Sequence, residues 1–405
     1  MFCKIKKSYE HTIYACYLGY ITQAVVNNFV PLLFVTFALD FSLDLKSITL
    51  ITTVNFMVQL IVDLLSARFV DKIGYRICLV MAHFCSAAGF LCIVFLSLFL
   101  SVPYYGIMTG VVLYAVGGGL IEVLISPVVE SCPTQKKEAA MSLLHSFYCW
   151  GHVGVVLLST AFFYFFGIKN WRIMALLWIL IPLFNAFYFM IVPLYPVTPE
   201  GKNKESITGL LKNKMFYLIC IIMVCSGASE QAVSQWASAF AENALGVSKT
   251  LGDLAGPASF AFFMGLARLI YGKYSDYLPL KKYMLFCAFL CIVSYFVIVM
   301  SPFEPLSLVF CAVTGFSVGI FWPGTFSIAA KVIPGGGTAM YALFALAGDI
   351  GCSSGPTVVG FCADHFNGEL KKGILMAIVF PVVIFFCLLI LKLNKLSKDT
   401  YSANS

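Results

Sequence analysis

Charged residues are scarce in this sequence. Asp, Glu, Lys and Arg make up 11% of its 405 residues, and only 19 of these are acidic. A soluble protein of this length needs far more polar surface to cover its core. Hydrophobic residues instead make up 60% of the chain and aromatic residues 16%. The composition excludes a large soluble globular protein and predicts a chain whose solvent is lipid.

Spacings typical of metal sites and catalytic sets are also missing. Most of the fifteen cysteines lie within apolar runs, and no pair combines zinc-ligand spacing with a polar loop. The loops are too short for a soluble domain, and no nucleophile–base arrangement stands out. The sequence therefore predicts a protein that is not an enzyme and that holds no metal and no cofactor.

Apolar runs long enough to cross a bilayer recur along the whole chain. A membrane helix needs about 20 such residues. The sequence predicts an all-α membrane protein with twelve spans, at about 9–38, 47–69, 77–100, 104–130, 139–166, 171–195, 214–240, 251–275, 282–301, 306–332, 338–363 and 372–393.

Basic residues are distributed unevenly over the predicted loops. Of the 26 Lys and Arg residues, 18 lie on the side of the N-terminus and 6 on the other side, while Arg68 and Arg268 fall within spans. Cytoplasmic loops carry the excess of Lys and Arg. We therefore expect a multi-pass protein of the cell membrane with both termini cytoplasmic. The net charge of +7 is explained by these loops beside a lipid surface, and it needs no nucleic acid partner.

Two loops at half-chain spacing indicate an internal repeat. ARFVDKIGYR (67–76) follows span 2 and GKYSDYLPLK (272–281) follows span 8, so that Asp276 comes 205 residues after Asp71. The repeat predicts two pseudo-symmetric six-helix bundles with a polar connection between them. The predicted units are an N-terminal bundle at 1–195, a linker at 196–213 and a C-terminal bundle at 214–405.

These loops resemble the signature of the major facilitator superfamily. DKIGYR is similar to the family's loop between helices 2 and 3, and SDYLPLK to its degenerate second copy. The resemblance covers the whole chain and implies the major facilitator fold, in which a solute transporter rocks about a central cavity. In these loops Asp71, Arg76 and Asp276 are expected to act as a conformational latch that does not touch the solute.

Five ionisable residues are predicted at membrane depth: Asp63, Glu122, Glu230, Arg268 and Asp349. An ionised side chain there costs roughly 2.5–3.5 kcal/mol on insertion scales. Each therefore needs a partner, a water-filled cavity or, for the acids, a bound proton. Arg268 is expected to neutralise Asp349, Glu230 or Glu122 in one conformation, and an exchange of partners would couple protonation to rocking.

Glu122 lies in the run GGGLIEVLISPVV (117–129) without a neighbouring cation on its own helix. Gly118 and Ser126, four residues before and after it, make a small-residue face open to water or to another helix. A carboxyl in this setting can bind and release a proton, as proton coupling requires. The alternative is a carboxyl that is permanently hydrogen-bonded inside the bundle.

Polar and aromatic residues share helix faces in several spans. In span 5, His145, Tyr148 and His152 fall at helical spacing. Amides, hydroxyls and rings together suit a polyhydroxylated solute, although single amides can also tie helices together. The predicted solute-binding residues are Tyr20, Gln23, Asn27, His145, Tyr148, Gln231, Gln235, Trp236 and Trp322.

The segments GLIEVLISPVVESCP (119–133) and LLHSFYCWG (143–151) together resemble the fucose–proton symporter branch of the superfamily. The resemblance implies that Glu122 is the proton-linked glutamate. It also aligns His145 and Tyr148 with a glutamine and an asparagine that contact the solute in that branch. The branch has an acidic residue in helix 1, where this chain has only the amides Gln23, Asn27 and Asn28.

These features predict a secondary transporter, acting as a monomer, that moves a small polar solute by proton symport. A sugar or a related metabolite is the expected solute. The alternative is a proton-coupled efflux antiporter for drugs or metabolites. Such proteins often carry a Gly-Pro motif in helix 5, whereas here GDIGCSSGP (348–356) places it in span 11.

Overall fold

A computed structural model of the chain describes residues 8–134, 137–195, 207–244, 246–274, 277–333 and 337–391. The described residues form helices and no strands. The all-α prediction is therefore confirmed for this part of the chain.

The described residues form twelve long helical segments, some of them interrupted by short 3₁₀ or π turns. They are α1 (Tyr9–Asn28, Val30–Leu33 and Phe34–Asp40), α2 (Leu45–Ile73), α3 (Tyr75–Phe99), α4 (Pro103–Ser131), α5 (Lys137–Phe166), α6 (Trp171–Trp178 and Leu180–Ile191), α7 (Lys214–Ser234, Ala237–Ala239 and Phe240–Ala244), α8 (Lys249–Asp253, Leu254–Ala258 and Ser259–Tyr274), α9 (Leu280–Met300), α10 (Glu304–Val318 and Phe321–Val332), α11 (Gly337–His365) and α12 (Leu370–Met376 and Val379–Ile390). A short helix at Ile207–Leu210 precedes α7.

Eleven of these segments are long and apolar enough to cross a membrane, judged over the described residues. They are α1 to α10 and α12, which lie where spans were predicted. The remaining segment, α11, has 29 residues and occupies the position of the predicted eleventh span. Small and polar residues run through its middle, from Gly348 to Thr357.

Polar caps and a glycine set the ends of the first helices. The Ser8 side chain accepts a hydrogen bond from the backbone N–H of Glu10 at the start of α1. Asp44 caps α2 by accepting from the backbone N–H of Ser47 at 2.9 Å, and hydrogen bonding to Ser47 lowers the pKa of the Asp44 carboxyl. Gly74 ends α2 at a φ of 97°, a conformation that favours glycine.

The helices pack as two groups, α1–α6 and α7–α12. Within the first group α3 packs against α4 and α1 against α5, and within the second α7 packs against α11 and α9 against α10. The two groups, called the halves below, meet along α2 with α11 and α5 with α8. Because short connections reverse the chain between helices, Ser8 and Leu391 lie at the same face of the bundle, the terminal face. The other end is the opposite face.

A group of charged side chains joins the halves near the opposite face. Lys249, at the start of α8, donates hydrogen bonds to Asp253 at 3.1 Å, to Glu242 at 3.2 Å and to the carbonyl of Leu32 in α1 at 2.6 Å. Asp253 is fully buried and also accepts from Thr160 of α5 at 3.1 Å. The Lys249 cluster consists of Thr160, Ser238, Glu242, Lys249 and Asp253.

The repeated loops hold equivalent positions in the two halves. Arg76 donates to the carbonyl of Phe189 near the end of α6 at 2.6 Å, and Lys281 donates to the carbonyl of Leu391 at the end of α12. A basic side chain at a helix C-terminus pairs with carbonyls that have no partner within the helix and with the negative end of the helix dipole. The side chain of Asp71 and the whole of Asp276 lie outside the described residues, so the latch stays a prediction.

Candidate functional site

Amide side chains of α1 and α2 form a buried ladder. Asn27 Oδ1 accepts from Gln59 Nε2 at 2.8 Å and from Asn55 Nδ2 at 3.2 Å. Gln59 Nε2 also donates to Asn55 Oδ1 at 2.9 Å, and Gln59 Oε1 accepts from Gln23 Nε2 at 2.9 Å. All four amides are at most 5% exposed. Their mutual hydrogen bonds offset the cost of burying them.

Asn55 and Gln59 were not among the predicted site residues. Their signal is the spacing of Asn55, Gln59 and Asp63, which follow one another at every fourth position of α2. Residues four apart lie on one face of a helix. A polar stripe of this kind in an otherwise apolar span indicates a face turned to the bundle interior.

Glu122 lies on α4 against the amide ladder. Its carboxylate accepts a hydrogen bond from Gln23 Nε2 at 3.0 Å. Gly118 packs closely against Gln23, and the hydroxyls of Ser126 and Tyr20 are 3.2 Å apart. The predicted small-residue face of α4 is therefore turned to another helix, α1. The partner of the Glu122 carboxylate there is a neutral amide.

The second half brings an acid and a base to the same depth. Arg268 Nη2 lies 4.0 Å from Glu230 Oε2, and the two side chains are 17% and 11% exposed. Arg268 Nε also donates to the carbonyl of Gly319 at 3.1 Å, within the break in α10. Of the three acids expected as partners of Arg268, Glu230 is the one within ion-pair distance in this conformation.

Gln235 connects the two halves. Its Nε2 donates to the backbone carbonyl of Asn27 at 3.1 Å and to Gln231 Oε1 at 3.0 Å, and Gln231 in turn donates to Glu230 at 3.3 Å. Trp236, the next residue, is 1% exposed and donates to the carbonyl of Pro356 at 3.0 Å. The structure thus places the Trp236 ring in the contact between helices rather than on an open surface.

The rings predicted to bind solute gather beside these amides. The Tyr20 and His145 rings have centroids 5.4 Å apart, and the Tyr148 hydroxyl accepts from Asn28 at 3.5 Å. His145 is exposed although Arg268 of the other half lies within electrostatic reach of it. His145 therefore lies beside the contact between the halves, on a surface that the packed helices leave uncovered. His152 is 2% exposed and lies in the packed interior.

Trp322 and Asp349 complete the second half of the site. The Trp322 ring lies so close to Gly348 that a Cβ there would overlap it. Asp349, the following residue, is 5% exposed, and its carboxyl lies within electrostatic reach of that of Asp63 on α2. The two halves therefore also meet through a pair of acids.

These side chains form one assembly between the halves, called the central polar cluster below. Its members are Tyr20, Gln23, Asn27, Asn55, Gln59, Asp63, Glu122, His145, Tyr148, Glu230, Gln231, Gln235, Arg268 and Asp349. The described side chains of the cluster include four carboxyls and one guanidinium. No group of three or more His, Cys, Asp or Glu side chains within the described ranges is arranged to hold a metal ion.

Comparison with known families identifies the fold. The sequence model of the Major Facilitator Superfamily matches residues 16–356 and 219–402. The chain belongs to the Major Facilitator Superfamily. It is therefore a multi-pass membrane transporter. No individual curated protein matches it by sequence.

Solved structures show the same architecture. A bacterial homologue of the human lysosomal transporter Spinster, in an inward-facing and occupied conformation, is 13% identical with a TM-score of 0.74 over 95% of this chain and 97% of that one. The E. coli fucose:proton symporter FucP is 15% identical with a TM-score of 0.66 over 95% and 99%. A D-xylose–proton symporter is 14% identical with a TM-score of 0.72 over 94% and 95%. Likeness at this identity confirms the predicted major facilitator fold and leaves the solute open.

Proposed function

We propose that this superfamily member is a proton-coupled symporter that carries a small polar solute, a sugar or a related metabolite, by alternating access. The observation that carries the proposal is the central polar cluster. Both halves contribute to it, it joins ionisable groups to a set of amides, and rocking of the halves would expose it to each side in turn.

The excess of carboxyls in the cluster supports the proton as the coupling ion. Four ionised carboxylates beside one arginine would be costly at membrane depth, so protons must neutralise some of them. Glu122 is the principal candidate, because its hydrogen-bond partner Gln23 brings no positive charge. Glu230, Arg268 and Asp349 are proposed to exchange charge with it during the cycle.

The amides and rings support a polyhydroxylated solute. Each amide can donate and accept at once, and rings offer flat surfaces for the apolar faces of a sugar. The similar fold of the fucose and D-xylose symporters agrees with this solute class. We propose that the solute contacts Tyr20, Gln23, Asn27, His145, Tyr148, Gln231, Gln235 and Trp322, and Trp236 once rocking of the halves uncovers its ring.

The arrangement in the membrane is part of the same proposal. The bundles at 1–195 and 214–405 rock about the site, and 196–213 links them on the cytoplasmic side. The protein acts as a monomer in the cell membrane, with both termini cytoplasmic. The proposed gating residues are Asp71, Arg76 and Asp276.

Purified protein in liposomes with a trapped pH-sensitive dye tests the proposal. Sugars, sugar acids, polyols and nucleosides are added outside, to wild type, to Glu122→Gln and to Glu369→Gln. Glu369 is a matched control because its side chain is 55% exposed and pairs with Lys372 at the surface. We expect solute-dependent acidification of the lumen in wild type and in the control, and none in Glu122→Gln.

Other outcomes contradict parts of the proposal. Acidification that persists in Glu122→Gln moves the proton to another acid of the cluster. Solute-dependent alkalinisation identifies an antiporter instead of a symporter. Counterflow of a different compound, with no response to the whole panel, rejects a sugar-like solute.

A further inference from the structure

A seam between the two halves runs along α2 and α11. The two helices are antiparallel and belong to different halves. Near the opposite face the hydroxyls of Thr53 and Thr357 are 2.5 Å apart, and Thr49 packs against Gly360 so closely that a Cβ on the glycine would overlap its side chain. One end of the seam is therefore tightly packed and neutral.

Two carboxyls meet further along the same seam. Asp63 lies ten residues, or about 15 Å, beyond Thr53 along α2, and Asp349 lies eight residues before Thr357 on α11. The register set by the Thr53–Thr357 contact brings these two acids to about the same depth on the facing helices. Asp63 Oδ1 and Asp349 Oδ2 are buried and have no hydrogen-bond partner among the described residues.

A hydrogen bond between the two carboxyls requires a proton. An ionised carboxylate only accepts hydrogen bonds, so two of them cannot bond to each other. With one proton, one carboxyl donates to the other, and loss of that proton leaves two negative charges that repel across the seam. The repulsion would act on the halves directly, because each carboxyl belongs to a different half.

Among the described side chains, no cation faces the pair in place of the proton. The charged or titratable groups that face it from neighbouring positions are Glu122 on α4 and Cys352 on α11. Glu230 on α7 lies beyond Cys352, and Arg268 on α8 pairs with that Glu230. The neighbouring carboxyl, Glu122, supplies no positive charge to the pair.

We propose that Asp63 and Asp349 share one proton across the α2–α11 seam, and that this proton holds the halves together in the conformation described here. The proposal rests on the proposed proton coupling and extends it, since it adds Asp63 as a proton-holding residue and gives the proton a mechanical effect. The internal repeat places Asp63 and Arg268 at equivalent positions, so the same position carries an acid in one half and a base in the other.

Infrared spectroscopy of the full-length protein in lipid nanodiscs tests for the shared proton. Carboxyl C=O bands that shift in D₂O are compared in wild type, Asp63→Asn, Asp349→Asn and Glu122→Gln. We expect one band that is lost in both Asp variants and retained in Glu122→Gln, because each Asp→Asn change leaves the other carboxylate free to ionise. A full set of bands in both Asp variants overturns the proposal.

Distance measurements by electron paramagnetic resonance test the mechanical effect. Spin labels are placed at Phe165 and Phe303, which are exposed near the opposite face in different halves. The distance between the labels reports the opening of that face. The labels are attached to non-canonical ketone residues, because the chain contains fifteen cysteines. We expect the ratio of closed to open protein to fall as pH rises, by up to about tenfold per pH unit for one linked proton.

The double variant Asp63→Asn/Asp349→Asn decides the assignment. Its amides can still hydrogen-bond across the seam, so it should stay closed over the pH range in which wild type opens. Glu122→Gln should keep the wild-type slope, that is, the pH dependence of the ratio of closed to open protein. A double variant that keeps the slope, or a wild type that does not respond to pH, overturns the proposal. If the infrared band and the slope are found but no solute drives proton uptake, the proposed function fails while the shared proton stands.

Discussion

The Lys249 cluster and the central polar cluster both bury charge between the halves, but they satisfy it differently. In the Lys249 cluster one ammonium lies within 3.2 Å of two carboxylates, and hydroxyls of both halves supply further hydrogen bonds. In the central cluster Glu122 is hydrogen-bonded to a neutral amide. Arg268 and Glu230 are separated by 4.0 Å.

The difference separates two uses of buried charge. A buried charge with several close partners becomes unfavourable when any one partner is removed. Such a charge therefore stabilises the conformation in which the partners meet. A charge with weak partners can change its protonation or its partner at low cost. We therefore expect the Lys249 cluster to stabilise this conformation and the central cluster to change during the cycle.

Lys249→Met should have the largest effect on stability. It removes the cation and leaves Asp253, which is fully buried, without a charged partner. Removing one member of a buried ion pair costs about 3–5 kcal/mol. A clear loss of thermal stability in detergent is expected, together with opening of the opposite face between labels at Phe165 and Phe303.

Lys372→Met is the matched control for this change. Lys372 lies 3.0 Å from Glu369, but the two side chains are 47% and 55% exposed. A surface pair of this kind contributes about 0–1 kcal/mol. Equal losses of stability in the two lysine variants would contradict the role given to the Lys249 cluster.

Neutral isosteres of one acid from each cluster sharpen the comparison. Asp253→Asn weakens the bonds to Lys249 and should lower the free energy of unfolding by about 2 kcal/mol, in the range for hydrogen bonds to charged groups. Glu122→Gln keeps an acceptor for Gln23 and removes a buried charge, so thermal stability should be unchanged or higher. If Glu122→Gln destabilises the protein as much as Asp253→Asn does, the Glu122 carboxylate is a structural element.

Arg268→Met should reduce transport more than it reduces stability. Its 4.0 Å separation from Glu230 indicates a weak pair in this conformation, while a change of partner during the cycle requires the charge. Loss of a charge-assisted bond in the transport cycle would slow counterflow by roughly tenfold, or about 1.4 kcal/mol. Arg268→Lys, which retains the charge, should recover part of the rate. Unchanged counterflow and pH dependence in Arg268→Met would exclude the exchange of partners.

Local patterns in the sequence predicted the features that depend on one helix or on the repeat. The spans follow from apolar runs, and the face with Gly118, Glu122 and Ser126 follows from helical spacing. Contacts between distant helices could not be derived in the same way. Glu230 was one of three possible partners of Arg268, and the pairing of Asp63 with Asp349 depends on how α2 crosses α11. Trp236 is a second example. Neighbouring helices bury its ring, and the sequence of its own span does not reveal which helices these are.

The smallest effects are expected at Arg76 and Lys281, where a base meets carbonyls instead of carboxylates. Each side chain donates to a carbonyl at or near the end of the last helix of its half, and a cation at a helix C-terminus is worth about 0.3–1 kcal/mol. Arg76→Met and Lys281→Met should each lower the thermal stability slightly and by similar amounts, because the repeat gives them the same role. A much larger effect of Arg76→Met on counterflow than on stability would show that the first copy of the loop takes part in gating. Equal small effects would instead mean that both bases act as helix caps, and that the latch depends on the acids of the loops.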